Sequence, residues 1–426
     1  MDLARVITSR AVWTLADLSV SFSACAQGKY RMAELVIESV AKIRNKVSRI
    51  GYINRIRDNL LNVGRRELAP LYDDLKSADC VVCGGSGRSL YSLNAAMSQI
   101  AISQTGWRNK VVLTPDDPGF PGKSMYDAAA ELERRYNKTL LLMNSGSGVS
   151  GEPSVMAEDL SRYIEEKGTS KLSMGLITSG LNSPLAEIVG KHGHVVELRG
   201  RGRAKPSFDY SEVGIMGDIF ELGSLLLLSM MTEAIFRNLE ANEVVKLCEE
   251  EFAKLGPMVD STVESETYSR LVDALEKRTS VFLGGKGTAS EIIKMTAVRL
   301  SHLKSTLGDS VYIARGVNTP PPRPGDVQIL VSFSGETKPV ISWCDTLKKM
   351  NGTVLSITGT RESTLTRKSD LRIVLEEEAM LGQPRRFYMR AAYVLSPLPV
   401  RLVERLGERG LRLPEYIINW HHSLTE

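Results

Sequence analysis

The sequence is short of cysteine. Its five are an odd number, which argues against a disulfide framework. It is also short of net charge. An excess of +4 is small for 426 residues and gives no electrostatic reason to expect a nucleic acid or a membrane surface as partner. Long apolar runs are missing as well. The most apolar stretch, near residues 225–231, reads as too short to span a bilayer. The first residues carry charge at Asp2, Arg5 and Arg10 without a continuous apolar core, so no secretory signal is expected. Metal spacings are incomplete. Cys80 and Cys83 are spaced C-x2-C, but they sit in a strand-like run where residues three apart face opposite ways, and no second pair exists. His192 and His194 bracket Gly193 and read as loop residues with no third ligand nearby. No metal is therefore expected, and no helix-turn-helix is evident. With 42% apolar and 24% charged residues, the reading left is a cytoplasmic enzyme or binding protein of two or three domains.

What is present is alternation. Residues 1–77 read as helical, with apolar spacings of three and four over 30–50 and 52–75. Strand-like runs follow at 80–83, 110–114, 139–144, 172–178 and 194–198, with helical patterns between them, and 217–239 is helical again. From about residue 241 the plan restarts. Residues 242–277 read as helical with a break at Gly256-Pro257, and strands are expected at 280–283, 310–314, 327–331, 353–358 and 371–375. A helical stretch closes the chain from about 390 to 406. The expected fold class is α/β, with two consecutive domains packed as a pseudo-dimer. Each is a five-stranded parallel sheet flanked by helices on both faces. The expected boundaries are a helical segment 1–77, a first domain 78–240 and a second domain 241–426.

Two strand-to-helix turns carry the chemistry. Ser332-Phe333-Ser334-Gly335-Glu336-Thr337 follows a buried-looking strand and precedes a helix over 338–350. Such a turn aims backbone N–H groups at an anion and adds hydroxyl donors beside them, which suits a sugar phosphate. A weaker copy is Ser145-Gly146-Ser147-Gly148-Val149-Ser150. The glycine turns also match, Gly84-Gly85-Ser86-Gly87 with Gly284-Gly285-Lys286-Gly287. So do Ser183 and Ser363, which read as helix caps.

These residues resemble a tandem pair of SIS (sugar isomerase) domains of the 6-phospho-3-hexuloisomerase branch. Gly85-Ser86-Gly87-Arg88-Ser89 is similar to that family's G-x-G-R-S turn, and Met216-Gly217-Asp218-Ile219-Phe220-Glu221 to its M-G-T-x-F-E segment. Asn318-Thr319-Pro320 through Pro324-Gly325-Asp326 to Thr337 resembles its T-T-P…G-D…S-x-S-G-E-T run, and Arg299-Leu300-Ser301-His302-Leu303 its M-R-L-M-H-L-G segment. The resemblance implies a phosphosugar aldose–ketose isomerase with neither metal nor cofactor. It implies catalytic roles for Glu221, His302 and His422, the last in a C-terminal tail similar to the family's H-x-N-L-E. It implies phosphate or sugar contacts from Arg88, Ser89, Ser145, Ser147, Ser150, Ser332, Ser334 and Thr337. The expected partner is a sugar phosphate, not nucleic acid or membrane, and the two-domain chain is expected to form a homodimer.

The halves are not equivalent. Arg386 stands opposite Glu221, Ile102 opposite His302 and Ala289 opposite Ser89. Only the second serine turn has the full Glu-Thr ending. The expectation is one competent site with working parts from both halves. Each candidate also has a plain structural reading. Glu221 would favour a helix dipole, His302 would be a core histidine, and His422 would lie in a frayed end. The serines and Thr337 would be turn and N-cap residues, and Arg199, Arg201 and Arg203 a solvated loop or, alternatively, a second phosphate clamp. The competing functional readings are a non-catalytic sugar-phosphate-binding regulator and a related amino-sugar-phosphate deaminase or lyase.

Overall fold

The computed structural model describes residues 46–102, 110–201, 210–215, 218–314, 319–378 and 382–411. The helix expected before residue 46 lies outside the described residues. So do Arg203, Met216, Gly217, Asn318 and the tail with His421 and His422.

Runs that are apolar on both faces make parallel strands here. All six residues of Thr139–Asn144 and of Val327–Ser332 are buried, as expected of strands covered on two sides. In chain order the first half holds α1 (Gly51–Leu61), α2 (Arg65–Ser77), β1 (Cys80–Gly85), α3 (Gly87–Ile102), β2 (Val111–Leu113), α4 (Met125–Arg135) and β3 (Thr139–Asn144). It continues with α5 (Gly151–Lys167), β4 (Leu172–Thr178), α6 (Pro184–His192), β5 (Gly193–Glu197), α7 (Tyr210–Val213) and α8 (Asp218–Phe236). The second half holds α9 (Ala241–Val263), α10 (Glu266–Leu275), β6 (Val281–Gly285), α11 (Thr288–Thr306), β7 (Val311–Ile313), β8 (Val327–Ser332) and α12 (Lys338–Lys349). It ends with β9 (Thr353–Thr358), α13 (Thr364–Lys368), β10 (Leu371–Val374), α14 (Arg386–Leu395) and α15 (Pro397–Glu408).

All sheet pairings are parallel. The first sheet has the order β2-β1-β3-β4-β5 and the second β7-β6-β8-β9-β10, so the same topology occurs twice. Both match the strands expected from the sequence to within two residues at each end. The halves meet through α3 against α11, with α8 and α14 packed beside them. Cys80 and Cys83 lie buried on β1 as free thiols, and burial pushes the Cys80 thiol up to about 12.

Four local expectations fail. Residues 46–50 are not helical, and the helix expected over 52–75 is two helices parted at residues 62–64. The closing helix is likewise divided, at Ser396, whose backbone stays helical (φ −65°, ψ −33°) while Pro397 after it has no N–H to continue the ladder. Gly256-Pro257 does not break α9. Proline removes a ladder bond there, but Leu247, Phe252, Leu255 and Val259 stay buried along one helix, and the helix packs on α8, α1 and α2. The chain instead breaks at Glu264-Ser265, where the Ser265 hydroxyl accepts from Tyr268 N at 3.2 Å. The apolar run near 225–231 also belongs to a longer element. Among the described residues, α8 is the one helix long and apolar enough to cross a membrane by length and composition. Yet 89% of its most apolar window is buried inside the fold, which makes it a core helix.

Candidate functional site

The two serine turns are built alike. Gly146 O accepts from Ser179 N at 3.2 Å, and Phe333 O from Gly359 N at 2.8 Å. Gly148 and Gly335 have φ of +68° and +65°, where glycine alone is unstrained. A Cβ on either would also strike a serine Oγ, that of Ser183 or Ser363. These two serines are the caps expected. Ser183 Oγ accepts from Ala186 N at 3.3 Å, and Ser363 Oγ from Thr366 N at 3.1 Å.

Ser150 and Thr337 hold the N-cap positions of α5 and α12 but make no side-chain cap bond. Their hydroxyls pair instead with Ser145 Oγ at 3.3 Å and Ser332 Oγ at 3.0 Å. The plain capping reading is therefore wrong for these two residues. Helix N-termini beside hydroxyl pairs, with no cap bond from the N-cap side chain, suit an anion. Ser147 and Ser334 brace their turns by accepting from Val149 N at 3.4 Å and Glu336 N at 3.2 Å. Glu336 accepts from Thr364 N at 2.6 Å, which holds its carboxyl below the usual range. Val149 has no carboxylate with which to make this brace.

The charged cluster stands at the N-terminus of α8 and draws on both halves. Asp218 is fully buried. Its carboxylate takes Arg88 from α3 and, at 3.2 Å, Arg299 Nε from α11. Burial pushes this carboxyl up, but the two guanidiniums outweigh it and hold the group below its ordinary value. One turn on, Glu221 is 2% exposed. Arg201 Nη2 lies 3.5 Å from its Oε1 and Arg299 Nη2 3.7 Å from its Oε2, and that Oε2 has no hydrogen-bond partner. Arg201 is thus not a solvated loop residue. Its side chain also crosses Gly146, where a Cβ would come within 2.8 Å of Arg201 Cδ. The first serine turn is therefore the one beside Glu221. Asn144, fully buried at the end of β3, donates to Ser89 O at 2.9 Å, Ser92 Oγ at 2.8 Å and Ser224 Oγ at 2.9 Å, fixing α3 and α8 to the strand.

His302 lies one turn beyond Arg299 on α11, half-buried, and its Nδ1 has no partner. Burial, with the Arg299 and Arg88 charges, pushes its pKa below 6.5, so it is neutral at pH 7. Arg88 is 7% exposed and its charge is engaged by Asp218, while Ser89 beside it is equally buried. His192 and His194 are not loop residues. One ends α6 at 3.3 Å from Glu165 and the other lies in β5 at 3.5 Å from Asp74.

At the matching place in the second half the groups are different. Gln99 and Thr288 replace Arg299 and Arg88. Gln99 Nε2 donates to Thr288 Oγ1 at 2.6 Å, and Gln99 Oε1 accepts from Arg385 N at 2.9 Å. Arg386, opposite Glu221, is bound at 2.6 Å to Glu233 and 2.7 Å to Glu251. Ser332, Ser334 and Thr337 neighbour this end, with the Arg385 guanidinium 3.8 Å over the Phe333 ring. The structure thus joins Arg88, Glu221 and the first turn to Arg299 and His302. It sets the more complete turn beside Arg386 instead. Sequence reading singled out neither Asp218 nor Arg299 as a site residue. Their signal was spacing, since Asp218 with Glu221 and Arg299 with His302 are both i,i+3 pairs that share a helix face.

Fold and site together define a class: an α/β protein of two parallel sheets, each ending in a hydroxyl-lined turn suited to an anionic guest. The chain belongs to the SIS domain family, whose model matches residues 274–385. An uncharacterized protein of Methanothermobacter thermautotrophicus is 32% identical over 146 residues, 34% of this chain and 71% of that protein. A 3-hexulose-6-phosphate isomerase of Bacillus subtilis is 32% identical over 109 residues, 26% of this chain and 57% of that enzyme. The chain therefore spans little more than half the length of that relative. A solved tagatose-6-phosphate ketose/aldose isomerase from Escherichia coli shares the fold with a TM-score of 0.51. It is 12% identical over 82% of this chain and 92% of that one.

Proposed function

We propose that the protein is a phosphosugar isomerase that interconverts aldose and ketose phosphates at one site assembled from domains 78–240 and 241–426. One observation carries the reading: the buried Glu221 carboxylate, its Oε2 without a hydrogen bond, beside two guanidiniums and the first serine turn. Glu221 takes the C–H proton next to the carbonyl. The electron pair forms the enediolate, and the Glu221 carboxyl, exchanging its proton with solvent, returns one to the neighbouring carbon, with no net oxidation. Arg299 and Arg201 offer fixed positive charge to the enediolate oxygens. Neutral His302 moves a proton between those oxygens. Ser145, Ser147, Ser150 and Ser89 hold the phosphate. His422 keeps its proposed role from outside the described residues. The relative from Bacillus subtilis makes hexulose 6-phosphates the first substrates to try.

The test is proton NMR in D2O with hexulose 6-phosphates, fructose 6-phosphate, glucose 6-phosphate, glucosamine 6-phosphate and arabinose 5-phosphate. Deuterium should enter the carbon that gains the proton, C1 or C2 for an aldose–ketose pair and C2 or C3 for a 3-hexulose, with interconversion, and Glu221→Gln should slow both by about 10²–10⁴-fold. The Arg386 ion pairs favour a second reading, since a serine turn without a free acid beside it suits binding alone. Binding shifts with no exchange for any sugar would select that regulator and overturn the isomerase.

A further inference from the structure

In the first half, α4 covers one face of the sheet. Met125, Ala128, Ala129 and Leu132 join Cys80, Val82, Leu141 and Met156 in one apolar cluster. Among the described residues, no helix stands between β7 and β8 in the second half. Residues 319–326 cross there instead. The strand registers identify the uncovered positions. Val82 pairs with Leu141 in the first sheet, and Phe282 pairs with Gln328 in the second. Trp343 stands for Met156, because a Cβ on Gly284 would meet Trp343 as one on Gly84 would meet Met156.

The space left by the missing helix is a cavity of about 250 Å³, walled by Phe282, Trp343 and Pro320 to Pro322. Among the described residues, none that lines it is ionisable. Its polar groups are the Thr319 and Thr346 hydroxyls, which donate to Ile313 O and Ser342 O, and Gln328, 3% exposed, in the place where the first half has Leu141. Gln328 Oε1 has no hydrogen-bond partner. A buried amide oxygen left unpaired on an apolar face is costly, and a donor supplied by a ligand removes the cost. A dry cavity of about 150 Å³ holds benzene, so this one admits a two-ring compound. Aromatic and proline walls favour a flat ring, and the lack of charge in the lining argues against a phosphorylated guest.

We propose that this cavity binds a small, neutral, planar heteroaromatic molecule, stacked against Trp343 and Phe282 and donating an N–H to Gln328 Oε1. The site is separate from the phosphosugar site, and its test needs no turnover. Saturation-transfer NMR and calorimetry on the full chain would use adenine, indole and benzimidazole as probes, with naphthalene-2-sulfonate as an anionic ring of similar size. At least one neutral N–H ring should bind, and the sulfonate should not. Gln328→Leu should keep or raise the melting temperature, because leucine is what the first sheet carries there, yet weaken the ring at least 10-fold. Ala314→Leu, which fills the cavity, should abolish binding in a folded protein. Failure of all three neutral rings at millimolar concentration would overturn the proposal. So would equal binding by Gln328→Leu, or displacement of the ring by a sugar phosphate.

Discussion

Glu221 and His302 are the two titratable side chains on which turnover would rest, and their surroundings differ. Glu221 sits between guanidiniums, whereas His302 is held neutral by burial and by positive neighbours. The sign follows directly. A histidine whose folded pKa lies below 6.5 carries no proton at pH 7 and gains one only as pH falls below that value. The acid limb of the kcat/KM profile of an active protein should therefore have its midpoint below the ordinary histidine value. His302→Gln should lower the plateau and remove the limb. A limb that persists in His302→Gln would assign it to another group. Both residues drew attention in the sequence through resemblance to family motifs, Glu221 in residues 216–221 and His302 in residues 299–303. The contact of Arg201 with Glu221 was not legible there, since it depends on how the chain after β5 returns across Gly146. The i,i+3 spacing to Glu221 puts Asp218 on the same helix face, but its ties to Arg88 and Arg299 join distant segments that no local periodicity relates.

At the scale of elements, α14 and α8 begin at equivalent places and do opposite things. The α8 end presents carboxylates to the site, while the α14 end sends Arg386 and Arg390 into Glu233 and Glu251, both nearly fully buried. Removing one partner of such a cluster leaves charge buried without compensation. Arg386→Met should lower stability by about 3–5 kcal/mol, read as an earlier guanidinium unfolding midpoint. An unchanged midpoint would show that the cluster is solvated or dispensable. The strands were readable because apolar runs between glycine turns leave few alternatives. The helix ends were not. Gly256-Pro257 carries a strong break signal, but packing of α9 on three other helices outweighs it. The separation at 62–64 shows the reverse, a continuous apolar spacing that spans two short helices.

For the whole molecule, one carboxylate ties the halves together at the site. Asp218 accepts from an arginine of each half, and its carboxyl is held below 3.8. Its stabilising contribution is complete above that value and is lost as pH falls through the lower folded value. Asp218→Asn should destabilise by about 3–5 kcal/mol at pH 7. The gap between the two proteins should begin to narrow once urea unfolding is repeated below pH 3.8. A gap independent of pH would mean that Asp218 acts through shape alone.

The Arg386 cluster also bears on how the two halves can change by substitution. A second acid opposite Glu221 would require Arg386→Glu, and that single step would leave three carboxylates with Arg390 on Glu251 and Arg237 on Glu233 as their counter-charges. Glu233 and Glu251 would have to be neutralised first, and neither change alone improves anything the second half does. The asymmetry is therefore locked in by packing: the second half rests its buried carboxylates on Arg386, and an acid cannot take that place without undoing them.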